Sequence, residues 1–212
     1  ASYRLTAKSK NRGIYSFCMC PGGYIIAASS EKESLVLNGM SFQQRDNKYA
    51  NSAIVVTMNE TDYGKGILAG MKFQRTIERK CFLKEHSYFA PIQKTSDFIN
   101  NKLSNLKINS SYKPGIISRN LNDIFPEQIS ENLKFGFKIF DKRIPEFINE
   151  GVLLAPETRT SSPIKILRNN ESFEALEISN LYPVGEGSGY SGGIMSSAAD
   201  GYKLGKIFRF KG

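Results

Sequence analysis

The stretch Leu181-Tyr182-Pro183-Val184-Gly185-Glu186-Gly187-Ser188-Gly189-Tyr190-Ser191-Gly192-Gly193-Ile194-Met195-Ser196-Ser197-Ala198-Ala199-Asp200-Gly201 constrains this chain most. It sets a short apolar run, five glycines within residues 185–193 and a run of small residues in direct succession. The order reads as strand, loop and helix. Glycine lets backbone approach a ligand closely and adopt positive φ, and the first turn of a helix presents unpaired N–H groups and partial positive charge. Such a terminus suits a phosphate or an electron-rich heterocycle. A tight turn with close helix packing is the alternative. The glycines do not form the first dinucleotide fingerprint, which opens a βαβ unit and is followed about 20 residues later by an acidic ribose ligand. Only one helix, through about Phe208, follows Gly193. The strand before the loop is therefore expected to join a sheet whose other strands come from earlier in the sequence or from outside it.

At 212 residues and 40% hydrophobic content the chain has enough apolar material for one large domain or two small ones. It contains no run of 18 or more apolar residues, and Ala1-Ser2-Tyr3-Arg4-Leu5 lacks the apolar centre of a signal peptide, so a cytoplasmic location without membrane insertion is the simplest expectation. Three cysteines, Cys18, Cys20 and Cys81, are too few for a disulfide framework and fit a reducing compartment. If 15–20 is a strand, Cys18 and Cys20 share a face, yet such neighbours do not readily bridge without distortion. Buried structural thiols and a redox role are both open. The sole histidine, His86, excludes schemes that need paired imidazoles, and its spacing of five from Cys81 does not align the two on a helix, so no metal site is expected.

The net charge of +9 and a pI near 9.4 would attract polyanions. The basic residues are dispersed, however, among Glu31, Glu33, Asp46, Glu60, Asp62, Glu78 and Glu85. That pattern fits a solvated surface, or a positive field that helps to hold a diphosphate, better than a nucleic-acid face.

Ile14–Phe17, Tyr24–Ala28, Ser34–Leu37 and Ala53–Thr57 are β-branched and aromatic runs separated by turn residues, with Pro21-Gly22-Gly23 suggesting a hairpin and the first quarter a β-meander. From Gly66 to Lys84, apolar residues recur in threes and fours among charges, which is an amphipathic helix. A short helix from Thr95 to about Leu103 follows, with Ser96-Asp97 offering caps, and Lys113-Pro114-Gly115 forces a turn. Asp123 to Glu150 is expected to form two helices because Gly136 and Pro145 interrupt it; Pro126 and Pro145 suit first-turn positions and Gly151 the position past a helix end. Val152–Leu154, Ile164–Leu167 and Phe173–Ile178 read as further strands. The fold class is α+β: a β-meander or mixed sheet, a helical middle and a closing strand-loop-helix. The expected division is 1–178 (strands within 14–57, helices within 66–150, strands within 152–178) and 179–212.

Three blocks in this order resemble a known family. They are Tyr15-Ser16-Phe17-Cys18-Met19-Cys20-Pro21-Gly22-Gly23 with Asn38-Gly39-Met40-Ser41; Glu157-Thr158-Arg159-Thr160-Ser161-Ser162-Pro163; and Leu181 to Gly201. Arg45-Asp46, Ala50-Asn51-Ser52-Ala53, Phe73-Gln74-Arg75 and Ser111-Tyr112-Lys113-Pro114-Gly115 add to them. Together they cover nearly the whole chain and resemble the uncharacterised FAD-dependent dehydrogenases of bacteria, NAD(FAD)-utilizing dehydrogenase-like flavoproteins with an inserted catalytic or cap domain. The family's GxGxxG-type fingerprint has no counterpart in residues 1–60. The resemblance thus implies that this is the C-terminal portion of a two-part FAD-binding protein, with 1–178 the substrate-facing cap and 179–212 part of the FAD-binding domain. It further implies that the chain does not retain FAD without its N-terminal portion.

The same resemblance implies roles. Gly185, Glu186, Gly187, Ser188, Gly189, Gly192, Gly193 and Ile194 would line the flavin's pyrimidine edge, and the helix beginning near Gly192 would aim its positive end at the N1–C2 carbonyl region, where reduced flavin is negative. Glu186 is suited to hydrogen-bond a ribityl hydroxyl or, alternatively, to satisfy free amides at the helix start. Thr158 and Arg159 would face the flavin or hold a substrate carboxylate, with a structural ion pair for Arg159 as the alternative. Cys18, Cys20 and Arg159 are the catalytic candidates, and Ser41, Arg45 and Asn51 are weaker polar ones. The implied activity is an oxidoreductase acting on an unnamed small molecule, with NAD(P)H as a possible electron donor. A non-enzymatic basic module that binds nucleic acid or another polyanion is the competing reading.

Overall fold

The computed structural model describes residues 5–9, 12–86, 88–105 and 108–209. Residues 1–4, on which the reading of the N-terminus as lacking a signal-peptide centre rests, lie outside these. The chain divides into two compact units, one of residues 1–59 and 74–158, the other of residues 60–73 and 159–212. Its mixture of helices and small sheets is an α+β fold.

Among the described residues the first unit holds three small sheets. Strand β1 (Thr6–Ser9), β2 (Arg12–Cys20) and β5 (Asn51–Val56) form an antiparallel sheet in the order β1-β2-β5. β3 (Tyr24–Ala27) pairs with β4 (Leu37–Met40), Tyr24 opposite Met40. β6 (Ala90–Lys94) lies between β7 (Ile116–Ser118), to which it is parallel, and β8 (Val152–Leu154), to which it is antiparallel, so this third sheet is mixed. Pro21-Gly22-Gly23 does not close a hairpin. It is a corner that takes the chain out of one sheet and into another, held by Gly23 N–H donating to Tyr49 O (2.8 Å) and Ser41 Oγ donating to Pro21 O (2.9 Å). The expected strand at Ser34–Leu37 begins only at Leu37: Ser34, Leu35 and Val36 are apolar or small because they are fully buried, not because they pair in a ladder.

Helix α4 (Glu127–Asp141) crosses β1, β2 and β5, burying Leu133, Phe137 and Phe140. Phe98 of α3 (Thr95–Ile99) meets Phe137 edge-on at 6.0 Å, and Phe147 meets Phe140 at 5.9 Å. Gly136 does not divide this helix as expected. It lies within one continuous helix because the strand beneath comes so close that a β-carbon there would stand 2.6 Å from Ile14 Cγ2. Residues 142–150 then form turns rather than a second helix, and Pro126 occupies the position before α4. Nor do Ser96 and Asp97 cap α3, whose preceding residue is Lys94. Asp97 instead accepts a hydrogen bond from Ser104 Oγ at 2.6 Å.

Two buried polar side chains organise the first unit. Glu78, on α2 (Ala69–Cys81), accepts from Ser34 Oγ (2.9 Å) and Thr158 Oγ1 (2.6 Å), while its backbone carbonyl accepts from Leu35 N–H (3.1 Å). Gln93, on β6, donates to Lys102 O (2.7 Å) and accepts from Leu121 N–H (2.8 Å). A buried polar group so satisfied fixes the loops that meet it, whereas a lost partner costs about 1–3 kcal/mol.

In the second unit, α1 (Glu60–Tyr63) and the first turn of α2 accompany residues 159–193 and helix α5 (Ile194–Arg209). Tyr63 and Phe73 rings lie 6.3 Å apart, and Gly70 sits against Pro163. The strands expected at Ile164–Leu167 and Phe173–Ile178 reduce to one bridge, Arg168 opposite Ala175, and Leu181–Val184 forms no strand. Their apolar side chains include Leu167, Leu176 and Ile178, which are largely exposed and have no facing sheet among the described residues. Apolar runs make a ladder only when partner strands are present. Among the described residues no helix is long and apolar enough to cross a membrane.

Replacing Gly136 by Val forces a branched side chain against Ile14, and overpacking of this kind costs about 1–3 kcal/mol. Chemical denaturation is expected to show that loss; an unchanged midpoint would mean that α4 and β2 are not in register as described.

Candidate functional site

The glycine loop is shaped by bonds it makes to itself. Gly185 and Gly189 adopt left-handed backbone, φ +74° and +84°, which side chains resist. With those two bends in place, Gly189 N–H donates to Glu186 O (2.9 Å), Tyr190 N–H to Gly185 O (3.1 Å) and Ser188 Oγ to Gly185 O (3.2 Å). Ser188 is buried, and its carbonyl accepts from Ile166 N–H at 3.1 Å. By contrast, a β-carbon at Gly187 or Gly192 would meet no atom within 4 Å. Those two positions are open space.

A partly buried ion pair anchors the loop to α5. Arg168 makes a bidentate pair with Asp200, Nη1 to Oδ2 at 2.9 Å and Nη2 to Oδ1 at 2.7 Å, and donates again to Pro183 O at 2.6 Å. Its guanidinium lies 3.6 Å from the Tyr190 ring centroid and 4.0 Å from that of Phe173. Asp200 Oδ2 also accepts from Gly185 N–H at 2.9 Å. The Arg168 hydrogen bonds hold the Asp200 carboxyl below the usual carboxylate range, with the Gly185 amide acting in the same direction and burial opposing them. Neither Arg168 nor Asp200 stands out in the sequence. They are 32 positions apart and carry no motif; the only available signal is an acidic residue in a helix of small residues.

Helix α5 starts at Ile194, two residues later than expected, with Gly192 and Gly193 ahead of it. The first hydrogen bond of helical type runs from Ser197 N–H to Gly193 O at 2.9 Å. The amides of Gly192, Gly193, Ile194, Met195 and Ser196 have no hydrogen-bond partner among the described residues. Ile194 and Met195 are 85% and 81% exposed. Five uncommitted donors at a positive helix end have the chemistry that suits an anion or a carbonyl oxygen. Glu186 does not occupy it: its carboxylate makes no hydrogen bond with a described residue, so the alternative in which it satisfies those amides is not taken up.

The structure brings the other motif residues to a corner of the first unit. Cys18, Cys20, Pro21, Gly22 and Gly23 meet Gly39, Ser41, Arg45 and Asn51 there, Arg45 being exposed with its carbonyl against Gly22. Cys18 and Cys20 do not simply share a strand face, because β2 is bulged between Phe17 and Cys20. Thr158 also belongs to the first unit, and both its hydroxyl and its carbonyl serve the fold, the first bonding Glu78 (2.6 Å) and the second accepting from Gln74 Nε2 (2.8 Å). Arg159 is exposed in the second unit. Cys81 is fully buried, and burial pushes its thiol up to about 12, with the Glu78 carboxylate adding to the effect and Arg119 opposing it. It is chemically inert beside the other two thiols.

The family described as FAD-dependent protein, C-terminal domain-like, matches residues 1–160. An uncharacterized protein of Clostridium beijerinckii is 45% identical over 211 residues, covering 96% of this chain and 39% of that protein. The chain therefore belongs to the family of C-terminal domains of FAD-dependent proteins, and it spans about two fifths of the length of that relative. The family match ends before the glycine loop, which lies within the longer similarity to the clostridial protein.

Removing the anion at Asp200 leaves the partly buried Arg168 guanidinium without its counter-charge. Asp200→Ala is expected to cost about 2 kcal/mol, the worth of hydrogen bonds to a charged group. Because the folded pKa of Asp200 is held below its unfolded value, the pair's contribution is complete above pH about 4. It is lost as pH falls through the depressed folded value. Denaturant titrations of wild type and Asp200→Asn across this range are expected to converge towards the acid end; parallel curves would contradict the role of the pair.

Proposed function

We propose that this chain is the C-terminal part of a flavin-dependent oxidoreductase, with the first unit facing the substrate and the glycine loop and α5 lying under the flavin. The observation that carries this reading is the row of partnerless amides from Gly192 to Ser196 beside open space at Gly187 and Gly192. These residues fit an isoalloxazine edge: the amides hydrogen-bond carbonyl oxygen or ring nitrogen, and the absence of side chains at 187 and 192 lets the backbone approach. FAD, when bound, supplies the hydride chemistry. The α5 terminus holds negative charge at the ring edge and thereby favours the reduced form. Arg168 and Asp200 keep the loop in this shape, and Glu186, with its carboxylate uncommitted, is placed to accept from a sugar-chain hydroxyl.

The second unit also leaves apolar side chains uncovered: Leu167 63%, Leu176 62%, Ile178 58%, Ile194 85%, Met195 81% and Tyr202 67% exposed. Apolar surface on this scale marks an interface. In this reading it is covered by the preceding FAD-binding portion of the same polypeptide, which supplies the adenine, ribose and most diphosphate contacts.

Gly192→Val in the full-length protein tests the placement. The β-carbon meets no atom within 4 Å, so the thermal unfolding of the flavin-free proteins is expected to match while the purified variant lacks the flavin absorbance. Retention of normal yellow colour in that variant would sink the assignment.

A further inference from the structure

The bulge in β2 changes what its two cysteines can do. Phe17 is opposite Ala53 and Cys20 opposite Asn51, so three steps on β2 span two on β5. Chain is thus gathered in between Phe17 and Cys20. Cys18 adopts left-handed backbone, φ 48°, and the Cys20 thiol is folded back onto the Cys18 peptide, Sγ to Cys18 O at 3.4 Å. In a flat strand, same-face neighbours stand too far apart to bridge. Here the strand is not flat: the bulge and the left-handed Cys18 take the two residues out of that arrangement.

The surroundings suit thiol chemistry. Cys18 is exposed and Cys20 half-buried. The bare α-carbon of Gly39 lies beneath Cys20 Sγ, which is 3.5 Å from where a β-carbon would be, and the Asn51 carboxamide rests on the same position. Asn51 Nδ2 is buried without a hydrogen-bond partner among the described residues, on the strand directly opposite Cys20.

We infer that Cys18 and Cys20 form a thiol–disulfide exchange site for low-molecular-weight disulfides, independent of the flavin assignment above. The exposed Cys18 thiolate attacks one sulfur of RS–SR, forming the Cys18–SR mixed disulfide and expelling RS⁻. The Cys20 thiolate then attacks Cys18 Sγ and expels the second RS⁻, which closes the Cys18–Cys20 disulfide. The protein loses two electrons and two protons, and RS–SR becomes two RSH. Cys81 takes no part because it is buried and holds its proton.

The test is incubation of the native chain with oxidised glutathione, followed by acid quench, alkylation after unfolding and peptide mass analysis. The peptide holding Cys18 and Cys20 is expected two hydrogens lighter and unalkylated, with Cys81 alkylated. In Cys20→Ser, glutathione is expected to remain attached at Cys18. Two separate glutathione adducts on the wild-type peptide, a bridge to Cys81, or no modification of Cys18 in either protein would each overturn the inference. The readout is made on wild type, so it stands whether or not a variant folds.

Discussion

The second unit depends on the guanidinium of Arg168. With a single β-bridge and no sheet among its described residues, this unit has no ladder to fix where residues 165–190 run. Arg168 fixes that path instead, since it binds Asp200 through both terminal nitrogens, binds Pro183 O, and is enclosed by Tyr190 and Phe173. A planar, permanently charged fork has the geometry for this, and lysine would supply only a point charge. Because Asp200 also takes the Gly185 amide, one carboxylate sets both the seating of α5 and the first bend of the loop.

The first unit reaches the same end with different chemistry. Its three sheets are of two or three strands each, small enough that none encloses a core by itself. Glu78 and Gln93 bind backbone and hydroxyl groups from distant segments, and α4 covers the first sheet with an aromatic cluster. The corner of cysteine and glycine motifs stands at the end of β2, where one sheet gives way to the next, so its residues are placed by turns and cross-strand neighbours rather than by a helix end.

Elements with strong internal periodicity are readable from the sequence, and those that depend on distant partners are not. The helix at 69–81, the strands at 24–27, 51–56 and 152–154 and the glycine loop are all legible, because helical spacing, β-branched alternation and glycine clustering are local properties. Gly136 misleads because a glycine in a helical pattern has two explanations, a break or a close approach, and only the position of Ile14 decides between them. Ser34–Val36 and Phe173–Ile178 are both apolar runs that form no strand, the first being buried in a loop and the second left largely exposed. Composition does not tell these apart. At the candidate site the loop and its glycines are visible, whereas Arg168 and Asp200 are hidden by their separation, and Thr158 reads as a ligand-facing residue although its hydroxyl serves Glu78.

The seat of Gly136 on Ile14 bears on how parts of this fold can be exchanged. Helix α4 and strand β2 meet with no room for a single extra carbon, so the two surfaces act as a matched die. A chimera that borrows the helix from a relative will assemble only if the facing strand is borrowed with it, and any enlargement of one surface must be met by a reduction of the other. Recombination between members of the family should therefore find its tolerated crossover points outside the segment that links these two elements.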